Sequence, residues 1–207
     1  MKKRAAGLCC FAVVFGFLFS GTAAAEKPLP YIDAGNGLIR DIKTGIYMID
    51  GVIEMYEEEG KSYEYAINCA ISSGTIDELY RHKYIDPTAY GGMFIMEDGA
   101  LGIYVMEGRE DEVRAAIERH KVSDYLSYRL LPGTYSYREM EDTRELLRPR
   151  YEELHITMLS INESANRIYV GIIEDFYSDE LVDEICGYVN SDCIEFFPSP
   201  RIVINDC

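Results

Sequence analysis

The sequence predicts an α+β protein: two ββαβ units, each a three-stranded sheet with one helix, joined by a helix and preceded by a helical segment. Three observations carry this. Short strings recur, Ile103-Tyr104-Val105 as Ile168-Tyr169-Val170, and Ser123-Asp124-Tyr125-Leu126-Ser127-Tyr128 as Ser191-Asp192-Cys193-Ile194-Glu195-Phe196. Between the two strings each copy carries a helical run, opening at Asp111 in the first and at Asp179 in the second. Before them each copy has two apolar runs separated by turn residues, which is how a β-hairpin is written. An internal duplication accounts for all three. It places Ile103 on Ile168 and Leu126 on Ile194, with a short insertion near Asp175 to Tyr177 in the second copy.

Residues 1–25 read as a bacterial secretory signal peptide. Lys2, Lys3 and Arg4 form its basic start, an apolar run follows, and Ala23-Ala24-Ala25 supplies small residues at the cleavage site. The apolar run is too short for a membrane span. The mature chain is therefore expected to begin at Glu26, outside the cell, with no membrane segment after cleavage.

Residues 26–90 read as a helical preface. Leu38, Ile42, Ile46, Ile49, Ile53 and Tyr56 recur every three or four residues, as on one face of a helix. Gly45 and Gly51 lie inside this pattern, each weakening a helix by about 1 kcal/mol relative to Ala. A second helix is expected from Tyr63 to Ile71. A third is expected from a capping box at Thr75 and Glu78, running to about His82.

Residues 91–134 hold the first ββαβ unit. Met93 to Met96 and Leu101 to Met106 are its hairpin strands around Glu97-Asp98-Gly99, where Gly accepts a positive φ. Val113, Ile117 and His120 mark the helix, and Leu126 and Tyr128 a half-buried strand. Residues 135–155 are a connecting helix, opened by a capping box at Ser136 and Glu139 and stopped near Pro149. Residues 156–207 hold the second unit. Thr157, Leu159 and Ile161 face Ile168, Val170 and Ile172 across the turn 162–166. Leu181, Ile185 and Tyr188 form the helix stripe, and Ile194 and Phe196 the last strand. Residues 201–207 read as a further terminal strand.

Composition narrows the function classes. Hydrophobic residues make up 48% and charged residues 27%, the balance of a globular chain. The net charge is −16, and three of the cations lie in the leader. Such a surface excludes nucleic acid as a partner, because that binding neutralises phosphates with Lys and Arg. An anionic membrane surface is disfavoured for the same reason. Solubility is the plainest use of the charge, and steering toward a basic partner is the alternative.

The mature cysteines are Cys69, Cys186, Cys193 and Cys207, and an even number in an exported chain suggests disulfides. Three connectivities are open. In the repeat alignment Cys186 stands opposite Glu118 and Cys193 opposite Tyr125, so both are peculiar to the second copy. A Cys186–Cys193 bridge would tie its helix to its last strand and leave Cys69 with Cys207. Against it, Ile194 and Phe196 face the helix, which puts Cys193 on the other side of the strand. No C-x-x-C occurs and the three histidines are scattered, so no metal or other cofactor is expected.

Catalytic candidates are few. Asp124 with His120 and Glu153 with His155 are the pairs close enough in sequence to serve as acid and base, and a structural role is favoured for both. No G-x-S-x-G or phosphate-binding loop appears. Tyrosine is the conspicuous residue, with 17 copies and no tryptophan. Tyr125, Tyr135 and Tyr137 gather at the exit of the first unit. They are either contact residues, since tyrosine gives large contact area at low entropic cost, or the rim of a small core.

Residues 88–197 resemble the pro-regions of secreted serine proteases of the streptogrisin and alpha-lytic type. The resemblance rests on Tyr90-Gly91-Gly92-Met93-Phe94-Ile95, an acidic-Gly turn, a strand, a helix, a strand, and Tyr135-Ser136 opening a helix with Glu139. It implies small modules with a three-stranded sheet that act as folding chaperones and inhibitors of their protease. It implies no catalytic residues. It also implies docking through a sheet edge and a C-terminal tail, here Arg201, Ile202, Val203 and Ile204. Packing of Ile202 and Ile204 inside the fold is the competing reading of that tail. No G-D-S-G-G string is present, so the expectation is a stand-alone relative. The function expected is a secreted, non-enzymatic protein-interaction module, with a secreted protease or another extracellular protein as partner. An extracellular hydrolase is the alternative.

Overall fold

Tyr31–Gly35 (β1), Leu38–Asp41 (β2) and Tyr47–Ile49 (β3) form an antiparallel meander at the start of the computed structural model, which describes residues 29–49, 51–189 and 191–200. Residues 1–25, read above as a leader, and residues 201–207, read as a terminal strand, lie outside the described residues. The meander replaces the helix expected over 38–56, of which only Val52–Glu58 (α1) is helical. Glycine decides the matter. Gly35, Gly37, Gly45 and Gly51 all have φ between 73° and 91°, and Asn36 between the first two has φ 56°. These left-handed residues close the turns that a helix would have to run through. The same apolar residues satisfy a period of two: Ile39, Asp41 and Met48 are buried while Leu38, Arg40, Tyr47 and Ile49 are exposed.

Asp41 is the buried polar residue of this sheet. Its Oδ1 accepts from the Thr44 backbone N–H at 2.5 Å and the Thr44 hydroxyl at 2.6 Å, and its Oδ2 from the Tyr63 hydroxyl at 2.8 Å. Burial alone would raise its pKa, but these hydrogen bonds outweigh it and hold the carboxyl below its ordinary value. A depressed folded-state pKa gives stability that is present above the unfolded value, about 3.9, and is lost as pH falls through the folded value. Asp41→Asn is therefore expected to be less stable than the wild type at pH 6, with the gap closing as pH falls below the unfolded value of about 3.9, measured by urea denaturation across pH.

Tyr63–His82 (α2) is one helix of 20 residues, where two were expected. Ser62 caps it by accepting from the Tyr65 N–H at 3.1 Å. Thr75 opens no new helix, since its hydroxyl bonds back to the Ile71 carbonyl at 2.9 Å inside the existing one. Continuity follows from packing. Ile67 and Ile71 bury against Ile39 and Met48 of the meander, and one to three turns later Thr75 and Leu79 are buried, Leu79 against the next sheet. A break at Ser72-Ser73-Gly74 would separate these two cores.

Tyr90–Ile95 (β4), Leu101–Val105 (β5), Glu110–His120 (α3) and Tyr128–Pro132 (β6) follow in the predicted order. β4 and β5 are antiparallel, and β6 returns parallel to β5. Tyr137–Leu147 (α4) is opened by a full capping box between Ser136 and Glu139 and ends at the turn holding Pro149. Ile156–Asn162 (β7), Arg167–Ile173 (β8), Asp179–Cys186 (α5) and Ile194–Ser199 (β9) then give a third sheet, order β7-β8-β9, again antiparallel then parallel. The chain is α+β, with three three-stranded sheets and five helices among the described residues.

The ladders correct the register expected from the strings. Leu101 and Ile168 each face the first residue of the parallel third strand, Tyr128 and Ile194. A register shift falls between Tyr90 and Gly92 in one hairpin and between Ile156 and Met158 in the other. Pro132 faces Val105, and Pro198 faces Ile172. By ladder position, Leu101, Ile103 and Val105 therefore match Ile168, Val170 and Ile172. All six are essentially inaccessible. The string match is two residues out along the central strand, and Leu126 precedes β6 instead of standing on Ile194. A slip of two keeps every side chain on its face, so the hydrophobic pattern cannot detect it.

Candidate interaction surface

Two of the three tyrosines singled out from sequence lie in the seam between the second and third sheets. Tyr137 stacks on Tyr90 with ring centres 5.3 Å apart, and Tyr80 lies 5.8 Å from Tyr137. Tyr135 donates its hydroxyl to the Asp192 carbonyl at 2.8 Å and carries the Arg167 guanidinium over its ring at 4.7 Å. The β7–β8 turn fastens this seam. Asn166, at φ 52°, accepts from the N–H groups of Thr134 (2.8 Å) and Tyr135 (3.0 Å) and donates to the carbonyls of Gly91 (2.9 Å) and Tyr135 (2.7 Å). Glu163 accepts from the Met93 N–H at 2.7 Å and from the Tyr80 hydroxyl. Burial, and then the Glu163 carboxylate, push the Tyr80 phenol far above its ordinary pKa. These groups hold the chain to itself, and Tyr135 and Tyr137 are half-buried among them. Sequence reasoning missed Glu163 and Asn166, because Asn162 to Asn166 reads as a solvent-facing turn.

Each catalytic candidate has a neighbour outside its own pair. His120 stacks on Tyr84 at 3.5 Å, and Asp124 lies 3.6 Å from Lys121. His155 stacks on Phe176 at 3.7 Å, and Glu153 pairs with Arg150 at 3.2 Å. Cys186 is not joined to Cys193. Cys193 ends a short 3-10 turn ahead of β9 and is buried, its sulfur 4.0 Å from the Thr143 hydroxyl, and burial pushes its thiol pKa up. Cys69 is a buried thiol on α2. Cys207 and residues 201–204 lie outside the described residues. No group of three or more His, Cys, Asp and Glu side chains among the described residues is placed to hold a metal ion.

The outer face of the β1–β3 meander is the apolar surface the fold leaves open. Ile32 pairs with Arg40 and Arg40 with Tyr47; Leu38 pairs with Ile49. Of these, Ile32 is 50% exposed, Leu38 37%, Tyr47 60% and Ile49 66%. They share one face because Ile39 and Met48, on the alternate positions, turn inward onto α2. Two grooves flank the sheet. One, about 380 Å³, is lined by Tyr47, Ile49, Tyr56 and Ile95 among others; the second, about 570 Å³, by Pro30, Ile42, Tyr63 and Tyr125. Tyr125 lies in the second groove, half exposed, with the Lys43 ammonium 4.9 Å from its ring centre. Arg40 lies 5.7 Å from the Tyr47 ring centre. The face is therefore apolar and carries one cation, Arg40, in a chain of net charge −16.

Sequence reasoning put Leu38 and Ile49 on a buried helix stripe and so missed this face. The signal was present: Asn36-Gly37 between apolar runs is a strong hairpin mark. No helix among the described residues is long and apolar enough to cross a membrane. No family model matches the sequence, and neither does any curated protein.

Proposed function

We propose that this chain is a secreted, non-enzymatic protein-interaction module whose partner docks on the outer face of the β1–β3 meander. The observation that carries the proposal is the set of four large side chains, Ile32, Leu38, Tyr47 and Ile49, exposed together on one sheet face. Contiguous exposed apolar area of this kind marks contact sites in soluble proteins. Tyrosine and Arg on the same face are the residue types that concentrate binding energy.

The second and third sheets are, in this proposal, copies of one ancestral ββαβ unit. Their support is the shared sequence of antiparallel hairpin, helix and parallel strand. The register shift at Gly91 and Thr157, and the proline opposite Val105 and Ile172, support it further. The resemblance to protease pro-regions gives the partner class, a secreted serine protease that the module inhibits or helps to fold.

Tyr47→Asp with Ile49→Asp tests the docking face. Both side chains are exposed, so the melting temperature is expected to stay within about 2 °C of the wild type. Co-elution with the protease on size exclusion should be lost. Retained co-elution with an intact fold would place the interface elsewhere.

A further inference from the structure

A separate cleft opens where α2 ends, β4 begins and α4 starts. It holds about 280 Å³, just under the usual size of a small-molecule pocket, which begins at roughly 300 Å³. Its apolar lining includes Leu79, Ile85, Tyr90 and Met93, all at most 4% exposed. Tyr80, Tyr137 and Pro87 complete the wall. The Tyr80 hydroxyl is already committed to Glu163, so its ring adds apolar surface and no spare donor.

The charged residues of the lining are Lys83, Arg138 and Glu141. Lys83 closes α2 in the left-handed conformation, φ 52°, and makes no ion pair among the described residues. Glu141 lies between two arginines, Arg138 at 3.6 Å and Arg144 at 3.9 Å. Arg138 also reaches Asp142, at 3.9 Å. The cleft is therefore an apolar slot with an exposed ammonium that makes no ion pair beside it, on a chain whose overall charge is strongly negative. Lys83 and Arg138 outnumber Glu141 in the lining, which disfavours a cationic ligand, and a phosphate would leave the apolar lining empty. We infer that this cleft binds a small aromatic carboxylate, its ring laid against the lining that Tyr80, Tyr137 and Met93 form and its carboxylate on Lys83 and Arg138. The site is distinct from the meander face and does not depend on what docks there.

The experiment is a titration of the full chain with 3-phenylpropionate, followed by the methyl NMR signals of Leu79, Ile85 and Met93. Those three signals are expected to move saturably. The uncharged amide of the same acid should bind about tenfold more weakly, because a charge-assisted hydrogen bond is lost. Propionate, which lacks the ring, should not saturate. Lys83→Gln with Arg138→Gln should bring the acid to the level of the amide without lowering the melting temperature. No saturable shift at millimolar ligand overturns the site. Equal binding of acid and amide, or no effect of the two substitutions, overturns the assignment of the carboxylate.

Discussion

Gly91→Ala is expected to lower the stability of the folded chain by about 3 to 5 kcal/mol, the range of a collision that a core cannot absorb. A Cβ at this position would fall well inside van der Waals contact with the Tyr135 carbonyl oxygen and the Asn166 amide nitrogen. Neither neighbour can retreat. The Tyr135 carbonyl is backbone, and the Asn166 amide is held by its bonds to Gly91 and Tyr135. Gly92→Ala should behave alike, since its φ is +152° and its Cβ would lie 2.8 Å from the Glu163 carbonyl oxygen. Gly108→Ala is the control. Gly108 also has positive φ but nothing within 4 Å, so only the backbone cost of about 1 to 2 kcal/mol is expected. Urea denaturation of the three variants checks the order. Equal losses at Gly91 and Gly108 would mean that the seam between the sheets does not approach as closely as described.

Asn166→Ala is the second large effect, about 3 kcal/mol or more. It strands two N–H groups, of Thr134 and Tyr135, and two carbonyls, of Gly91 and Tyr135, in a site that is 3% exposed. It also puts alanine at φ 52°, where asparagine is tolerated better than most residues. Asn166→Asp separates the causes. A carboxylate keeps the two bonds from Thr134 and Tyr135 but sets an oxygen against two carbonyls. Its defect should ease as pH falls and the carboxyl gains a proton to donate, while the defect of Asn166→Ala should not. Denaturation at pH 7 and pH 4.5 reads the difference. Combined with Gly91→Ala, either substitution should cost less than the sum of the two, because both break the same contact.

The legible parts of the fold were those fixed by local chemistry. The Glu97-Asp98-Gly99 turn, the Ser136–Glu139 capping box, the stop at Pro149 and the alternation around Ile168 and Val170 all stand as read. The illegible parts were settled by contacts far along the chain. α2 runs through Ser72-Gly74 because it serves two cores, which Thr75 alone does not announce. The meander was hidden because Leu38, Ile42, Ile46 and Ile49 fit a helical period as well as a strand period, and four left-handed glycines decided between them. The register of the two ββαβ sheets was invisible for another reason, that a two-residue slip conserves the pattern of faces. The exposed apolar face was missed together with the meander that bears it. Of the nominated contact residues, Tyr125 lies at its edge, while Tyr135 and Tyr137 lie in the seam, in contact with Asp192, Arg167 and Tyr90.

The interaction proposal makes one comparison decisive. The affinity of the chain from Glu26 onward for a secreted streptogrisin-type serine protease should be measured by titration alongside two variants, Tyr47→Asp/Ile49→Asp and a chain ending at Pro200. Saturable binding by the wild type is expected, weakened at least about tenfold by the face variant, as for loss of contact residues near the centre of an interface. The truncated chain should bind like the wild type. An unaltered affinity in the face variant, or no saturable binding by the wild type, would contradict the assignment of the β1–β3 face as the docking surface for such a protease.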